Sequence, residues 1–237
     1  MKRDRLRRWL GAVLLAAGLG LLLYPTLSNA WIAQKGSWGS AEYQEEVDAL
    51  EPDETAGLWA AAEAYNDCLA RRPERFFPTQ QEHREYEGLL DPTGHGVMCR
   101  LEVPAIRLSL PVYHGVEEGV LQVAAGHLEG SSLPVGGPGT HCVISGHSGL
   151  PSARLLSDLE RLKIGDEVSL YTLGRRLEYR VREILVVEPG EWEALDLEEG
   201  EDLCTLLTCT PYGVNSHRLL VRGVRTVHGR AAPALEG

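Results

Sequence analysis

The chain of 237 residues has little phenylalanine and little methionine, with two of each, and aromatic residues make up 6% of the total. It contains no Cys-x-x-Cys spacing and no cluster of His and Cys, so we expect no metal site and no cofactor. Internal repeats and low-complexity segments are also absent, which argues against a repeat architecture or a disordered chain. A length of this order fits one domain with appendages.

Positive charge is scarce beyond the first residues. The chain carries 23 basic and 34 acidic side chains, a net charge of −11. Without residues 1–8 the remainder holds 18 basic and 33 acidic side chains, a net charge of −15. A surface of this sign argues against a nucleic acid as partner. It is compatible with cationic partners such as protein substrates that present a lysine, although solubility alone would also explain it.

The N-terminus combines a basic segment, residues 1–8, with a charge-free run from Trp9 to Gln34. The apolar part of this run, residues 9–27, is long enough to cross a bilayer core, which needs about 20 residues. The cationic flank predicts a cytoplasmic tail at 1–8, a single-pass anchor at 9–27 and a cell-surface position for the rest. A cleaved signal peptide is the alternative, because residues 28–30 read Ser-Asn-Ala. The length of the run favours the uncleaved anchor.

Residues 31–93 are predicted to form a helical extension. Apolar residues at helical spacing, including Tyr65 and Leu69, indicate a helix over residues 38–72. Pro73 then ends the pattern, and a short helix is expected at residues 82–90.

Short runs with strand character dominate from residue 94 onward, with one helix predicted over residues 155–162. Many short strands with few helices predict a small closed β-barrel over residues 94–229, followed by a tail at 230–237. The predicted strands are Val97–Val103, Leu108–Tyr113, Thr140–Ile144, Glu167–Leu173, Leu177–Val187, Leu203–Thr208 and Arg218–Val224.

A thiol and a fixed positive charge stand at two neighbouring strand ends. Cys209 closes the apolar run 205–208, and Arg218 opens the run 219–224. If these runs are adjacent antiparallel strands, Cys209 and Arg218 lie close together at one rim of the sheet. The residues between them include typical turn formers: Pro211, Gly213, Asn215 and Ser216.

A third strand-end group precedes them in the segment His141-Cys-Val-Ile-Ser-Gly-His147-Ser-Gly. A Cys, a His and an Arg at strand ends are the groups needed for acyl transfer through a thiolate. Nearby positive charge raises the thiolate fraction of a cysteine, so His147 and Arg218 would activate Cys209. His127, within Gly126-His-Leu-Glu-Gly130, is the rival histidine, and we interpret it as a residue that orders a loop.

These segments resemble the sortase family, and specifically the class C, pilin-polymerising sortases. The segments that carry the resemblance are Thr-Leu-Leu-Thr-Cys209, Ser-Gly-His147-Ser-Gly-Leu, Pro211-Tyr-Gly-Val-Asn-Ser-His-Arg218 and the stretch from Gly126 to Gly137. The resemblance runs from about Leu89 to Arg225. It implies a mainly β fold, an eight-stranded barrel with short helices and an N-terminal helical extension.

The resemblance also implies a reaction and a role for each residue. Cys209 would be the nucleophile, His147 the general acid, and Arg218 the group that holds the substrate carbonyl and the oxyanion. The implied reaction cleaves the Thr–Gly bond of an LPxTG-like sorting signal and joins the acyl group to a lysine amine of a pilin subunit.

Other functions remain as alternatives. One is a sortase that uses a peptidoglycan amine to anchor proteins to the cell wall. Another is a non-catalytic, membrane-anchored assembly factor, against which the intact Cys209, His147 and Arg218 argue. An L,D-transpeptidase would place its cysteine in a Ser-His-Gly-Cys context, which this sequence does not contain.

The sequence departs from the class C pattern before the barrel. Class C sortases usually have a lid with an Asp-Pro-aromatic motif, and here Asp91-Pro92 is followed by Thr93. The corresponding region offers Phe76 and Phe77, which would either plug a cleft or, as we prefer, cap the helical stripe.

Cys142 and Cys204 each lie five residues before a proposed catalytic residue. In the sortase barrel their strands are neighbours, so a disulfide between them is conceivable. Two small buried side chains are the favoured interpretation, because residues on adjacent strands often miss the required geometry.

Overall fold

The computed structural model describes residues 2–148, 155–227 and 230–231, and consists of a helical N-terminal part packed on a β-barrel. The α-helices in these ranges are α1 (Lys2–Ala49), α2 (Pro52–Leu69), α3 (Gln80–Glu87) and α4 (Glu118–Leu121). The strands are β1 (Val97–Val103), β2 (Leu108–His114), β3 (Ala125–His127), β4 (Thr140–Ser145), β5 (Glu167–Thr172), β6 (Arg175–Val187), β7 (Asp202–Thr210), β8 (His217–Val227) and β9 (Arg230–Ala231).

Eight of these strands close into a barrel. They are ordered β6-β5-β1-β2-β3-β4-β7-β8, and β8 pairs back onto β6. The β2–β3 and β4–β7 pairs are parallel, and the other pairs of the barrel are antiparallel. The two-residue strand β9 pairs with the end of β8. The predicted eight-stranded barrel is therefore confirmed.

The barrel interior is filled by aliphatic side chains at alternating strand positions. Leu101, Leu170, Leu206 and Val221 are all fully buried. Because side chains on a strand alternate between the two faces, Leu206 points inward and Leu207 points to the outer face. On that outer face Leu207 packs against a second, smaller cluster built on Val143, Leu195 and Leu220. This small cluster supports the site described below.

The helical part is fixed to the barrel by hydrogen bonds from buried side chains. The Tyr43 hydroxyl of α1 donates to the Met98 carbonyl (2.9 Å) and accepts from the Leu173 amide (2.8 Å). The Asn66 side chain of α2 donates to the Leu133 carbonyl (3.2 Å) and accepts from the Leu133 amide (2.7 Å). The extension is therefore packed on the barrel from α1 onward.

The single helix predicted over residues 38–72 is wrong in one respect, because the structure has two helices there. The break falls at Leu50 and Glu51, directly before Pro52. Proline disfavours helical dihedral angles at the residue before it, here Glu51. Proline itself is well suited to the first position of a new helix. The Glu54 carboxylate accepts from the Glu51 amide (3.2 Å) and caps the new helix. The short helix predicted at 82–90 is present as α3.

Two further elements differ between the prediction and the structure. The helix expected over residues 155–162 is a series of turns that ends in a 3-10 helix, Leu159–Arg161, and the part of this loop at 149–154 lies outside the described residues. Leu155 has a positive φ of 32°, which α-helical geometry does not allow. Strand β3 was not predicted, because three residues with a central glycine give no periodic signal.

The predicted anchor at residues 9–27 lies within α1. In the described part of the chain no helix is both long and apolar enough to cross a membrane.

The two cysteines of neighbouring strands are buried free thiols. Cys142 and Cys204 lie directly opposite each other in the parallel β4–β7 ladder, and both are almost completely buried. Burial raises the pKa of the Cys142 thiol well above its usual range, with a further contribution from Cys204. These observations support the interpretation as two small core side chains.

Candidate active site

Cys209 and Arg218 face each other at one rim of the barrel. Cys209 is the penultimate residue of β7, Arg218 is the second residue of β8, and the two are direct partners in the antiparallel ladder. Paired residues of two strands point to the same face, with Cβ atoms about 4.5–5.5 Å apart. Both side chains are partly exposed. The predicted thiol–guanidinium pair is thus present at the surface.

His147 lies beside this pair because its loop is hydrogen-bonded to β7. Strand β4 pairs in parallel with β7 as far as Ser145, which is opposite Leu207. Continuing the same register places His147 level with Cys209. The loop is fixed by three hydrogen bonds, Gly146 N to Leu207 O (3.1 Å), Thr208 Oγ1 to Gly146 O (2.7 Å) and Ser148 Oγ to Cys209 O (2.5 Å).

The His147 ring contacts a carboxylate that the sequence did not suggest. Its Nε2 lies 3.3 Å from Oε2 of Glu118, in the short helix α4. The other carboxylate oxygen of Glu118 accepts a hydrogen bond from Nε2 of Gln122 (3.1 Å). The Gln122 bond and the nearby His147 lower the pKa of Glu118, in that order of importance. An ionised carboxylate accepts, so Nε2 of His147 carries the shared proton.

The Arg218 guanidinium is held only by its own turn among the described residues. Its Nη1 donates to the carbonyl oxygens of Asn215 (3.2 Å) and His217 (3.1 Å). Neutral carbonyls leave the positive charge uncompensated, so this guanidinium is available to an incoming oxygen.

Arg222, on the same face of β8, is committed elsewhere. It is buried and forms ion pairs with Glu183 (2.8 Å) and Glu198 (3.0 Å), and it also donates to the Ala194 carbonyl. It lies four positions along β8 from Arg218, a separation of about 13 Å. The choice of Arg218 over Arg222 is therefore supported by what each guanidinium contacts.

A cleft of about 280 Å³ adjoins Arg218 on the outer face of β4, β7 and β8. Ser145, Leu207 and Leu220 form its floor, on the same strand face as Cys209 and Arg218. Its walls are mostly apolar, with two glutamates on the loop after β6. An extended peptide with apolar side chains fits such a surface. The other residues that line the cleft are Val116, Leu128, Val187, Glu188, Pro189, Gly190, Glu191, Trp192 and Leu195.

A thiol and a guanidinium paired across a hairpin, a histidine on the adjoining loop and an apolar cleft alongside lie together at one rim of the barrel. A model of the sortase domain matches residues 101–226, more than half of the chain. The chain belongs to the sortase family.

Solved structures of sortases resemble this sortase closely. Sortase C1 from Streptococcus agalactiae is 42% identical, with a TM-score of 0.78 over 80% of this chain and 98% of the other. Sortase C-1 from Actinomyces oris is 44% identical, with a TM-score of 0.69 over 74% and 99% of the respective chains. The resemblance to class C sortases, inferred from the sequence, is confirmed.

A curated relative is more distant. Sortase A of Bacillus anthracis is 34% identical over 128 residues, which cover 54% of this chain. This chain spans 59% of the length of that relative.

Phe76 and Phe77 of this sortase do not cap the apolar stripe of α2. The interpretation preferred from the sequence is therefore wrong. Phe76 stacks on Trp192 with ring centroids 4.9 Å apart, and Phe77 meets the same ring edge-on at 6.3 Å. Trp192 forms one wall of the cleft. Phe76 packs with the smaller cluster beneath the cleft, whereas the stripe of α2 belongs to the main core.

The preceding residue, Arg75, fixes this segment to the barrel. Its side chain is buried, donates to the Leu195 carbonyl (2.9 Å) and forms an ion pair with Asp196 (3.2 Å). The predicted lid region thus rests against the cleft wall. Asp91, by contrast, lies in a turn before β1, where its carboxylate accepts from the amides of His95 (3.1 Å) and Gly96 (2.9 Å).

The rival histidine is a buried structural residue. In the neutral ring Nε2 of His127 donates to the Ser132 carbonyl (2.9 Å), and Nδ1 accepts from Tyr86 Oη (3.0 Å). Desolvation lowers the pKa of His127 to about 4. A neutral ring without solvent contact is unsuited to general acid catalysis near neutral pH, which supports the loop-ordering interpretation.

His141 is buried in the same manner. It lies 2.9 Å from the Asp196 carbonyl and 2.7 Å from Thr205 Oγ1, and desolvation lowers its pKa to about 4. Both buried histidines therefore hold loops near the site in their neutral form.

Proposed function

We propose that this sortase is a cysteine transpeptidase that cleaves LPxTG-like sorting signals and transfers the acyl group to a lysine amine of a pilin subunit. The observation that carries the proposal is the direct pairing of Cys209 with Arg218 beside an apolar cleft. The similarity to two sortases of class C supports the choice of acceptor. The acidic surface is compatible with a cationic acceptor.

In the first half-reaction the Cys209 thiolate attacks the carbonyl carbon of the Thr–Gly bond. The developing oxyanion accepts hydrogen bonds from the Arg218 guanidinium, which turns from the carbonyls of its own hairpin toward the substrate. The His147 imidazolium protonates the nitrogen of the leaving glycine as the C–N bond breaks. A thioester between threonine and Cys209 remains, and His147 is neutral.

In the second half-reaction a lysine amine attacks the thioester carbonyl. Arg218 again holds the oxyanion, and neutral His147 takes the proton that the amine loses. The C–S bond breaks, the Cys209 thiolate is restored, and an isopeptide bond joins the two proteins. The catalytic groups return to their starting charges.

The test combines peptide cleavage with detection of the thioester. The full-length protein, solubilised in mild detergent, is incubated with a fluorogenic LPxTG-type peptide, and its intact mass is recorded. We expect cleavage and a mass increase on Cys209, and loss of both in Cys209→Ala with the fold retained. A Cys209→Ala protein that still supports pilus assembly in cells would show a non-catalytic assembly factor and overturn the proposal.

The acceptor is tested separately, because a curated relative carries the name sortase A, as does a second relative from Streptococcus agalactiae that is 27% identical over 207 residues. The trapped thioester is offered a lysine-bearing pilin fragment and, in parallel, a peptidoglycan stem peptide. Faster resolution by the pilin lysine supports the proposal. Faster resolution by the peptidoglycan amine would identify a cell-wall-anchoring sortase instead.

We propose further that the enzyme is retained at the cell membrane by residues 9–27, with the barrel outside the cell. The support is the cationic segment that precedes this apolar run in the sequence. Membrane fractionation and N-terminal sequencing test it. A mature N-terminus at Trp31 would show cleavage and a secreted enzyme.

A further inference from the structure

The short helix α4 places a carboxylate against the ring proposed to act as general acid. Glu118 Oε2 lies 3.3 Å from His147 Nε2, and Gln122 holds the other oxygen of the same carboxylate at 3.1 Å. The contact spans 29 residues of sequence and joins two different loops. We propose that Glu118 is a positioning residue that orients the His147 ring and places a negative charge beside its imidazolium form, an inference that rests on the proposed role of His147.

The position of Glu118 is fixed by the backbone that precedes α4. A Cβ atom at Gly126 of β3 would lie 2.1 Å from the Gly115 carbonyl oxygen, so only glycine permits this close approach. The Gly115 amide donates to the buried Tyr86 hydroxyl (2.9 Å), which anchors the same turn from the other side. The segment that leads into α4 is therefore tied to β3 and to α3, and the carboxylate is presented from a fixed point.

The loop of His147 is tied down independently. The hydrogen bonds from Thr208 Oγ1 to Gly146 O and from Ser148 Oγ to Cys209 O hold it against β7. Glu118 thus contacts His147 from one anchored element, and the strand register places Cys209 level with His147 on another. With Nε2–H donated to Glu118, Nδ1 is the ring nitrogen left to exchange a proton with the reacting groups.

The charge of Glu118 favours the catalytic form of the ring. A base that is oriented by a third group recurs in nucleophilic catalysis, and a carboxylate in that place stabilises the imidazolium. Among the residues that the structure describes, the charged or titratable groups that contact His147 or lie level with it in the sheet register are Glu118 of α4, Cys209 of β7 and Arg218 of β8. Of these three, Glu118 is the anionic group that also makes a hydrogen bond to the ring, whereas the Arg218 cation repels the imidazolium.

The exposure of the Glu118 side chain determines how much its removal should change the rate. The Glu118 side chain is 69% exposed, so solvent screens its interaction with His147. Exposed ion pairs contribute little, and loss of one corresponds to a rate change of about two- to fivefold. The effect should fall on kcat, because His147 acts in the chemical step, and it should depend on pH.

The experiment compares Glu118→Gln with Glu199→Gln, which removes the same charge from another exposed position, and with Gln122→Ala. Peptide cleavage by the full-length protein is measured from pH 5 to pH 9, with kcat and KM determined separately. We expect Glu118→Gln to lower kcat about two- to fivefold at pH 7.5 with KM unchanged, and to move the alkaline limb to lower pH. Gln122→Ala should act in the same direction but less, Glu118→Asp should restore part of the activity, and Glu199→Gln should match the wild type.

His147→Ala is measured in the same assay, so that the two possible failures are distinguishable. If His147→Ala keeps wild-type activity, the proposed role of His147 is wrong and this inference falls with it. If His147→Ala is inactive while Glu118→Gln keeps the wild-type kcat and pH profile, the inference about Glu118 alone is overturned. A loss of kcat in Glu118→Gln that is the same at every pH would also overturn it, since a merely structural effect would give that result.

Discussion

Arg218 lies directly across the β7–β8 ladder from Cys209, only nine residues further along the chain. The pairing is fixed by backbone register, and a slip of one residue would turn the guanidinium to the opposite face of the sheet. The smaller cluster stabilises this register, because Leu207 and Leu220 are the next pair on the same face. The relative position of thiol and guanidinium is therefore a property of the barrel itself.

Replacement of Arg218 tests the oxyanion role. We expect Arg218→Ala to lower kcat for peptide cleavage by at least about a hundredfold, because it removes a donor to the oxyanion. Arg218→Lys keeps the charge but loses the planar fork, and it should restore only part of the activity. Arg84→Ala, at an exposed position of α3, is the matched control. Wild-type kcat in Arg218→Ala would rule the role out.

The two candidate histidines should respond differently to alanine. His147→Ala should lower turnover by about a hundredfold or more with little change in Tm, since a partly exposed general acid is lost. His127→Ala should lower Tm instead, because it empties a buried site and removes one hydrogen-bond partner each from the Tyr86 hydroxyl and the Ser132 carbonyl. Turnover is normalised to folded protein at low temperature. A greater loss of turnover in His127→Ala would reverse the assignment.

Acid should destabilise the fold through its buried histidines. His127 and His141 each have a pKa of about 4 in the folded protein, against about 6.5 in an unfolded chain. The unfolded chain binds more protons between these values, so the stabilisation is complete above about pH 6.5 and is lost as the pH falls to about 4. Each ring accounts for a change on the order of 3 kcal/mol.

The measurement is the free energy of unfolding in urea at a series of pH values. His127→Asn removes one titrating ring, so the slope between pH 6.5 and pH 4 should decrease by up to about 1.4 kcal/mol per pH unit. His95→Asn, at an exposed position, should leave the slope as it is. An unchanged slope in His127→Asn would contradict a neutral buried ring.

The parts of the site that sequence alone could predict are those set by local pattern. The Cys209–Arg218 hairpin was predictable because one short turn joins two apolar runs, and a hairpin brings its ends together with no long-range information. The placement of His147 next to Cys209 could be inferred only through the family resemblance, because β4 and β7 are far apart in sequence and pair in parallel. A parallel pair leaves no sequence signal of its own register.

The contacts that no pattern predicted are long-range. Glu118 lies 29 residues before His147 in a helix of four residues, which is too short to show periodicity. Trp192 reaches the phenylalanines of the helical extension across more than a hundred residues. The break before Pro52, in contrast, could have been predicted from the proline itself. It was missed because apolar residues at helical spacing on both sides suggested one continuous helix.

The segment Arg75–Phe77 sets the last prediction, which concerns a lid over the cleft. From the sequence, a lid without the Asp-Pro-aromatic motif would be held by two apolar rings and would open often. The structure adds the buried hydrogen bond from Arg75 to the Leu195 carbonyl and the ion pair of Arg75 with the exposed carboxylate of Asp196, which fix the segment beside the cleft. Phe77 is 69% exposed, so it contributes little to this contact.

We therefore expect a soluble protein of residues 32–237 to cleave peptide without any change in the lid region, and Phe77→Ala to alter the rate only modestly. Phe76→Ala should have a larger effect on KM, because Phe76 stacks on Trp192 and so supports the cleft wall where the peptide binds. Initial rates over a range of peptide concentrations separate the two variants. If the protein of residues 32–237 is inactive and Phe77→Ala makes it active, the expectation is wrong. That result would show that the segment closes the active site and that Phe77 holds it closed.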